Sequence, residues 1–307
     1  VRDSLVDWRG LALGDKSSLI LDEYHPYDDL PKMINPESGY IFNTNNSPFN
    51  STADADNLKE ADYNSTFSFK EGENNRSLRF MELIAQYDKL SYEDFKEIKY
   101  DQKYPDSLIL IGNIKTVFDL KKENFQDYAE LLDLIQGWDR RGGAENIGAA
   151  QWNLYYNFML SILSENKVTI EDTITNEYHE KALERTQDHL SKNFGRLDIT
   201  LGEIQRHIRG EKNLPVSGLI DMIAPTYSVP TDGGRLKAVS GESYIMLIRY
   251  TKDGPELETV IPYGNSSDPE STHYTDQMQM YLDKKLKVMS LDREEVMAEA
   301  VRVYNPI

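Results

Sequence analysis

The sequence predicts an α+β protein, with strands near both ends and helices between them. Residues 1–50 contain short apolar runs separated by turn residues, and this pattern returns after Pro225. Between these regions, apolar residues recur three and four positions apart, which is typical of amphipathic helices. Because strands and helices do not alternate, a doubly wound parallel sheet is not expected. We expect a sheet whose strands come from distant parts of the chain.

The first predicted region, residues 1–76, combines strands with a polar loop. Tyr40, Ile41 and Phe42 predict the end of a buried strand, and residues 43–48 predict the turn that follows it. Residues 50–76 are dense in Asn, Asp and Ser. A loop of this length is typical of a functional or mobile segment.

The middle region, residues 77–224, is predicted to be mainly helical. A helical pattern begins at Ser77, and Ser91 with Asp94 three residues later is typical of a capping box. A helix is also expected over about 176–190, ending near Gly195. Two apolar stripes predict the helices between them: Phe125, Tyr128, Leu131, Leu132 and Ile135, then Ala149, Trp152, Leu154, Tyr155, Phe158, Met159 and Ile162.

The last region, residues 225–307, is predicted to return to strands before a closing helix. Strands are expected at 235–239, 243–250 and 256–262, separated by Gly and Asp turns. No internal repeat is visible.

Composition excludes several classes of function. With 307 residues, 39% of them apolar, the chain can bury a sizeable core. A net charge of −18 excludes nucleic acid and anionic membranes as expected partners, because both require a cationic surface. The absence of cysteine excludes disulfides and thiolate catalysis. No run reaches the roughly 18 apolar residues of a membrane helix.

The segment 39–48 gathers neutral amides, with Asn43, Asn45 and Asn46 just after an apolar run. An Asn side chain offers two N–H donors without a charge, which suits the stabilisation of an oxyanion during acyl transfer. The alternative is an Asn-rich turn, because Asn tolerates a left-handed backbone and bonds its own chain.

Five separated motifs resemble the penicillin acylase family of N-terminal-nucleophile hydrolases. Its acyl-homoserine-lactone acylase and aculeacin A acylase branch is the most similar, although that branch usually has Cys where Thr44 stands. The motifs occur in the family order at residues 7–10, 35–49, 74–84, 201–218 and 241–277.

The resemblance implies an αββα layered fold and hydrolysis of an N-acyl small molecule by an N-terminal Ser, whose α-amino group acts as base. Because the chain opens at Val1, we expect it to be the C-terminal part of a β chain that lacks this nucleophile. The implied partners are the α chain and the N-terminal part of the β chain from the same precursor. The implied location is periplasmic or secreted.

The resemblance also assigns site residues. Asn45 matches the oxyanion-hole asparagine, and Arg76 matches an arginine that orders the polar network of the active site. Asn43, Asn46 and Phe49 are predicted to contact the substrate. In the alternative interpretation, Asn45 is a turn residue and Arg76 forms a salt bridge at a helix cap.

Asp54 and Asp56 indicate a candidate calcium site, since paired carboxylates suit this cation. An EF-hand loop would require Gly and an acidic residue where Lys59 and Ser65 stand. The resemblance to penicillin G acylase makes Asp56 the nearest equivalent of a calcium ligand. The reaction itself implies no cofactor.

Other polar residues are predicted to be structural. Residues 271–277 combine Ser, His and Asp, but neighbours in one loop do not form a triad. We expect polar contacts from His273, Tyr274, Asp276 and Gln277 and a structural role for His207. Core positions are expected for Trp138 and Trp152. The chain contains neither a Gly-x-Ser-x-Gly nor a His-Glu-x-x-His motif.

Two other functions are compatible with the sequence. The chain could be a peptide- or carbohydrate-binding module derived from an acylase, or a degenerate structural paralogue, for which Thr44 leaves room. A signal peptide and an internal self-cleavage junction in the full-length gene would favour the enzyme.

Overall fold

The computed structural model describes residues 11, 14–20, 24–64, 69, 72–110, 112–168 and 173–305. The chain groups into two compact units, Val1–Leu78 and Arg79–Ile307. The sequence motif at residues 7–10 lies outside the described residues.

The described residues of the first unit that precede Asn75 lie in turns, loops and short 3₁₀ helices. Its short 3₁₀ helices are Ser17–Leu19, Tyr27–Asp29, Asp54–Asp56 and Glu60–Asp62. No described residue of this unit belongs to a β-strand, so the strand predicted to end at Tyr40–Phe42 is wrong. Ile41 is 53% exposed, and the Thr52 hydroxyl donates to the Tyr40 carbonyl at 2.7 Å. The polar loop thus bonds this segment in place of a neighbouring strand, through the Thr52 hydroxyl and through the Ser51 carbonyl, which accepts from Phe42 N at 2.8 Å.

Helix α1 (Asn75–Ile84) begins in the first unit, and α2 (Tyr92–Lys99) follows in the second. The capping box predicted for α2 is confirmed, since Asp94 N donates to Ser91 Oγ at 3.1 Å and Ser91 N donates to Asp94 Oδ2 at 2.9 Å. Three 3₁₀ segments, Ile114–Asp119, Lys122–Asn124 and Gln126–Tyr128, lead into α3 (Ala129–Gln136).

The central helices form the main core. Helix α4 (Ala149–Glu165) is apolar on most of its circumference and packs beside α5 (Asn176–Phe194). Helix α5 ends at Gly195, whose φ of +71° suits a residue without a Cβ. The core positions predicted for Trp138 and Trp152 are confirmed, because both are buried and their rings stack 6.1 Å apart.

A four-stranded sheet follows the one-turn helix α6 (Leu201–Ile204). Its strands are β1 (Gln205–Arg209), β2 (Lys212–Pro215), β3 (Thr226–Pro230) and β4 (Leu236–Gly241), in the order β2-β1-β4-β3. The β1–β4 pair is parallel and the other pairs are antiparallel. Residues 205–215 lie in the region that was predicted to be mainly helical, because β1 and β2 are too short to show a period of two.

A three-stranded antiparallel sheet contains β5 (Ile245–Thr251), β6 (Gly254–Val260) and β7 (Lys287–Val288). Ile245, Leu247 and Val260 form a second, smaller core against Tyr92 and Tyr100. Helix α7 (Met278–Leu282) precedes β7, and α8 (Arg293–Glu299) follows it. Helices and mixed sheets occupy different stretches of the chain, so the predicted α+β class is confirmed.

Candidate functional site

The amide-rich loop of the first unit turns sharply at Asn45. Its backbone is left-handed, with φ of +62°, and Asn43 Oδ1 accepts a hydrogen bond of 2.8 Å from Asn45 N. A short polar side chain that bonds its own backbone makes this conformation accessible to Asn. Both asparagines are exposed. The turn therefore presents the Asn45 side chain outward.

Arg76 fixes the orientation of the Asn45 amide. It lies in the first turn of α1, and its Nη1 donates to Asn45 Oδ1 at 2.9 Å. A guanidinium has only donors, so it must bind the oxygen of the amide and leave the nitrogen on the other side. Among the described residues, none accepts a hydrogen bond from Asn45 Nδ2. This pair thus displays two N–H donors at the surface of the loop.

The side chain of Asn46 is buried and forms hydrogen bonds within the loop. Its Oδ1 accepts from Thr44 N at 2.8 Å and from Thr44 Oγ1 at 2.9 Å. Its Nδ2 donates to the carbonyls of Ser47, at 3.2 Å, and Asn50. Substrate contact by Asn46 stays a prediction, while both lone pairs and both protons of this amide are in use within the loop. We assign it to the stability of the loop.

The loop is bonded to the start of α1 through Asn74. The Asn74 Nδ2 donates to the Thr44 carbonyl at 2.8 Å, and its Oδ1 accepts from Ser77 N at 2.8 Å. Thr44 Oγ1 lies 3.4 Å from Asn74 Oδ1. Asn74 is not among the site residues predicted from the sequence, although Asn immediately before a helix is a favoured N-cap residue.

Phe49 is half-buried in an aromatic cluster. Its ring centroid lies 5.5 Å from that of Tyr63 and 5.3 Å from that of Phe69, with an edge-to-face arrangement in the second pair. Contact of Phe49 with a substrate, like that of Asn43, stays a prediction.

Asp56 does not form a carboxylate cluster. Its Oδ2 accepts from Ser38 N at 2.7 Å. In the described part of the chain, no group of three or more His, Cys, Asp or Glu side chains could hold a metal ion. Calcium takes six to eight oxygen ligands, so these residues alone do not fit it. Calcium binding at Asp56 stays a prediction that requires ligands from backbone carbonyls or from another segment.

The second unit holds the histidines that were predicted to be structural. His207 Nε2 bonds the Pro262 carbonyl at 2.6 Å, its ring stacks on Tyr263, and burial lowers its pKa. His273 Nδ1 and Asp276 Oδ2 lie 2.8 Å apart, and Gln277 Oε1 accepts from Ile261 N. These bonds agree with structural roles.

In the ranges that the structure describes, none of the helices is both long and apolar enough to cross a bilayer.

Parts of this sequence are similar to known proteins. The family model described as penicillin amidase matches residues 3–298. An acyl-homoserine lactone acylase PvdQ from Pseudomonas savastanoi pv. phaseolicola is 20% identical over 235 residues, which are 70% of this chain and 30% of that protein. Aculeacin-A acylase from Actinoplanes utahensis is 28% identical over 111 residues, 34% of this chain and 14% of that protein.

A solved structure is also similar. Thermostable penicillin G acylase from Alcaligenes faecalis matches all of this chain and 63% of its own chain, with 15% identity and a TM-score of 0.48. The chain spans less than a third of the length of the two relatives above. The family model, in contrast, covers nearly every residue present, from 3 to 298. The chain belongs to the penicillin amidase family.

Proposed function

We propose that this chain carries the oxyanion-stabilising part of an N-acyl amide hydrolase. The observation that carries the proposal is the Arg76–Asn45 hydrogen bond of 2.9 Å, which leaves the Asn45 Nδ2 donors facing outward. Membership of the penicillin amidase family, with relatives named acyl-homoserine lactone acylase and aculeacin-A acylase, supports an acyl amide as substrate.

The proposed reaction is acyl transfer to water. The nucleophile's hydroxyl oxygen attacks the amide carbonyl while its proton passes to the base, and the carbonyl oxygen acquires negative charge in the tetrahedral intermediate. Asn45 Nδ2 donates to this oxygen, where a fixed donor stabilises the transition state more than the substrate. Collapse of the tetrahedral intermediate breaks the C–N bond, the amine leaves with that proton, and water then hydrolyses the acyl ester to the free acid. The nucleophile and its base are an N-terminal Ser and its own α-amino group, supplied by the same precursor outside these 307 residues.

The remaining parts of the proposal concern partners and location. The α chain and the N-terminal part of the β chain complete the site, and the mature protein is exported to the periplasm or secreted. Full-length protein assayed with acyl-homoserine lactones and with phenylacetyl and fatty amides should release the acyl acid. A correctly matured protein that hydrolyses none of them would contradict the proposal.

Arg76 contributes by orienting and polarising the amide. Its positive charge at Asn45 Oδ1 draws electron density toward the oxygen and makes the Nδ2 protons better donors. We expect Arg76→Gln to lower kcat by about tenfold with little change in KM, because a loosely held donor loses most of its effect in the transition state. Steady-state kinetics of the matured full-length protein measure both constants.

Arg293→Gln serves as the matched control for Arg76. It also lies in the first turn of a helix, and it is exposed. Its kcat should equal that of the unaltered protein. Equal kcat values for the Arg76 and Arg293 variants would mean that the bond to Asn45 has no catalytic role.

A further inference from the structure

The side chain of Asn74 joins two structures that the proposed chemistry needs together. One is the loop that carries Asn45, and the other is the first turn of α1, which carries Arg76. Asn74 is 9% exposed, and both ends of its amide are in use. The nitrogen holds the Thr44 carbonyl, and the oxygen caps the helix at Ser77 N.

The cap is reinforced on the backbone side. Asn74 N donates to Ser77 Oγ at 3.0 Å, and the Ser77 hydroxyl is also bonded to Glu73 Oε2. The N–H of Ser77 belongs to the first turn of the helix, which leaves its donors without intrahelical partners. These bonds fix the start of α1 at Asn74, the residue just before Asn75 and two residues before Arg76. A movement of Asn74 would move the guanidinium with it.

The loop side is equally tied. The Thr44 carbonyl precedes Asn45, so the Asn74 Nδ2 bond of 2.8 Å holds the peptide bond that enters the left-handed residue. Asn46 Oδ1 holds Thr44 N at 2.8 Å from the other direction. Thr44 is thus clamped at both its N–H and its carbonyl. The position of the Asn45 amide relative to Arg76 depends on this clamp.

We propose that Asn74 is a positioning residue, which sets the distance between Asn45 and Arg76 by bonding Thr44 with one end of its amide and capping α1 with the other. The inference rests on the proposed oxyanion role of Asn45. It extends that role to a residue that touches neither substrate nor reacting atoms.

Asn74→Asp keeps the cap of α1 and removes the hydrogen bond to the Thr44 carbonyl. Asp is as good an N-cap as Asn and suits the positive end of the helix, so α1 stays capped. Its carboxylate has no donor for the Thr44 carbonyl and repels it. In the full-length protein, we expect kcat to fall about tenfold with KM within about twofold, because misplacing a catalytic donor by less than an ångström is costly.

Asn74→Ser controls for the added charge near Glu73. A serine caps the helix without charge, but it is too short to reach the Thr44 carbonyl. Both variants should show the same fall in kcat and a melting temperature close to that of the unaltered protein. A kcat that stays unchanged in both would show that Asn74 is only a helix cap and would overturn the inference.

The double variant Asn45→Ala/Asn74→Asp tests whether Asn74 acts through Asn45. If it does, the double variant is no slower than Asn45→Ala alone, because there is no longer a donor to misplace. If the fall in kcat of the double variant equals the product of the two single falls, the inference is overturned and the oxyanion role of Asn45 stays intact. A normal kcat for Asn45→Ala alone would instead remove the proposed function itself, so the two failures are distinguishable.

Discussion

Asn45→Ala in the full-length protein is expected to lower kcat by about 10²–10³ with little change in KM. This corresponds to about 3–4 kcal/mol of lost transition-state stabilisation, the usual effect of removing one oxyanion donor. In the proposed mechanism, Asn45 Nδ2 is oriented through the bond of its amide to Arg76, and it meets negative charge that develops in the transition state and is absent from the bound substrate. Steady-state kinetics with the best substrate give kcat and KM separately.

Two controls accompany this variant. Mass analysis must show that the precursor is cut normally, because failed maturation would imitate a catalytic defect. Asn46→Ala should reduce kcat less, and it should lower the melting temperature because Thr44 N and Oγ1 lose their acceptor inside the loop. If matured Asn45→Ala protein keeps most of its kcat, the oxyanion assignment is wrong and the loop is only an Asn-rich turn.

The helices were predictable because their signals are local. In the capping box, Ser91 and Asp94 bond each other three residues apart. Gly195, just after α5, donates to the carbonyl of Ser191. Both partners of each bond therefore lie within a few residues in the sequence. Long apolar stripes such as that of α4 show several turns of one period. The existence of these helices therefore followed from sequence alone.

The strands were less predictable, since a strand depends on a partner elsewhere. Strand β1 pairs with β4, about thirty residues away along the chain, and its five residues are too few to show a clear period. In the first unit, Tyr40–Phe42 has the apolar character of a strand, but Thr52 bonds the Tyr40 carbonyl instead. Nothing within the apolar run itself indicates this competition.

The site shows the same limit at the level of single side chains. Asn45 and Asn46 are adjacent and chemically identical, yet one is exposed and the other has all four of its hydrogen-bonding positions in use. The left-handed φ of Asn45 decides which amide faces outward. Resemblance to a family could select Asn45, but residue type and spacing could not.

A buried histidine in the second unit should make stability depend on pH. His179 is 1% exposed and links α5 to α4 and to the 3₁₀ segment Ile114–Asp119. The Thr116 hydroxyl donates to the Asn113 carbonyl, so it accepts from His179 Nε2 at 3.0 Å. His179 Nδ1 then accepts from the Tyr155 hydroxyl at 2.5 Å. This arrangement holds the neutral imidazole.

Burial lowers the pKa of His179 from 6.5 to about 4, because the charged form would lose its hydration. The unfolded chain takes up the proton near pH 6.5, whereas the folded chain does so only near pH 4. The contribution of His179 to stability is therefore complete above pH 6.5 and is lost as the pH falls from 6.5 to 4. Over that interval it amounts to about 3 kcal/mol.

His179→Gln removes the titration but leaves a neutral polar side chain. Urea unfolding at pH 7, 5.5 and 4.5 should show that this variant is less stable at pH 7 yet loses less stability on acidification than the unaltered protein. Because His207 is also buried with a lowered pKa, only the difference between variants isolates His179. Parallel curves for His179→Gln and the unaltered protein would show that His179 is not the group whose protonation weakens the fold.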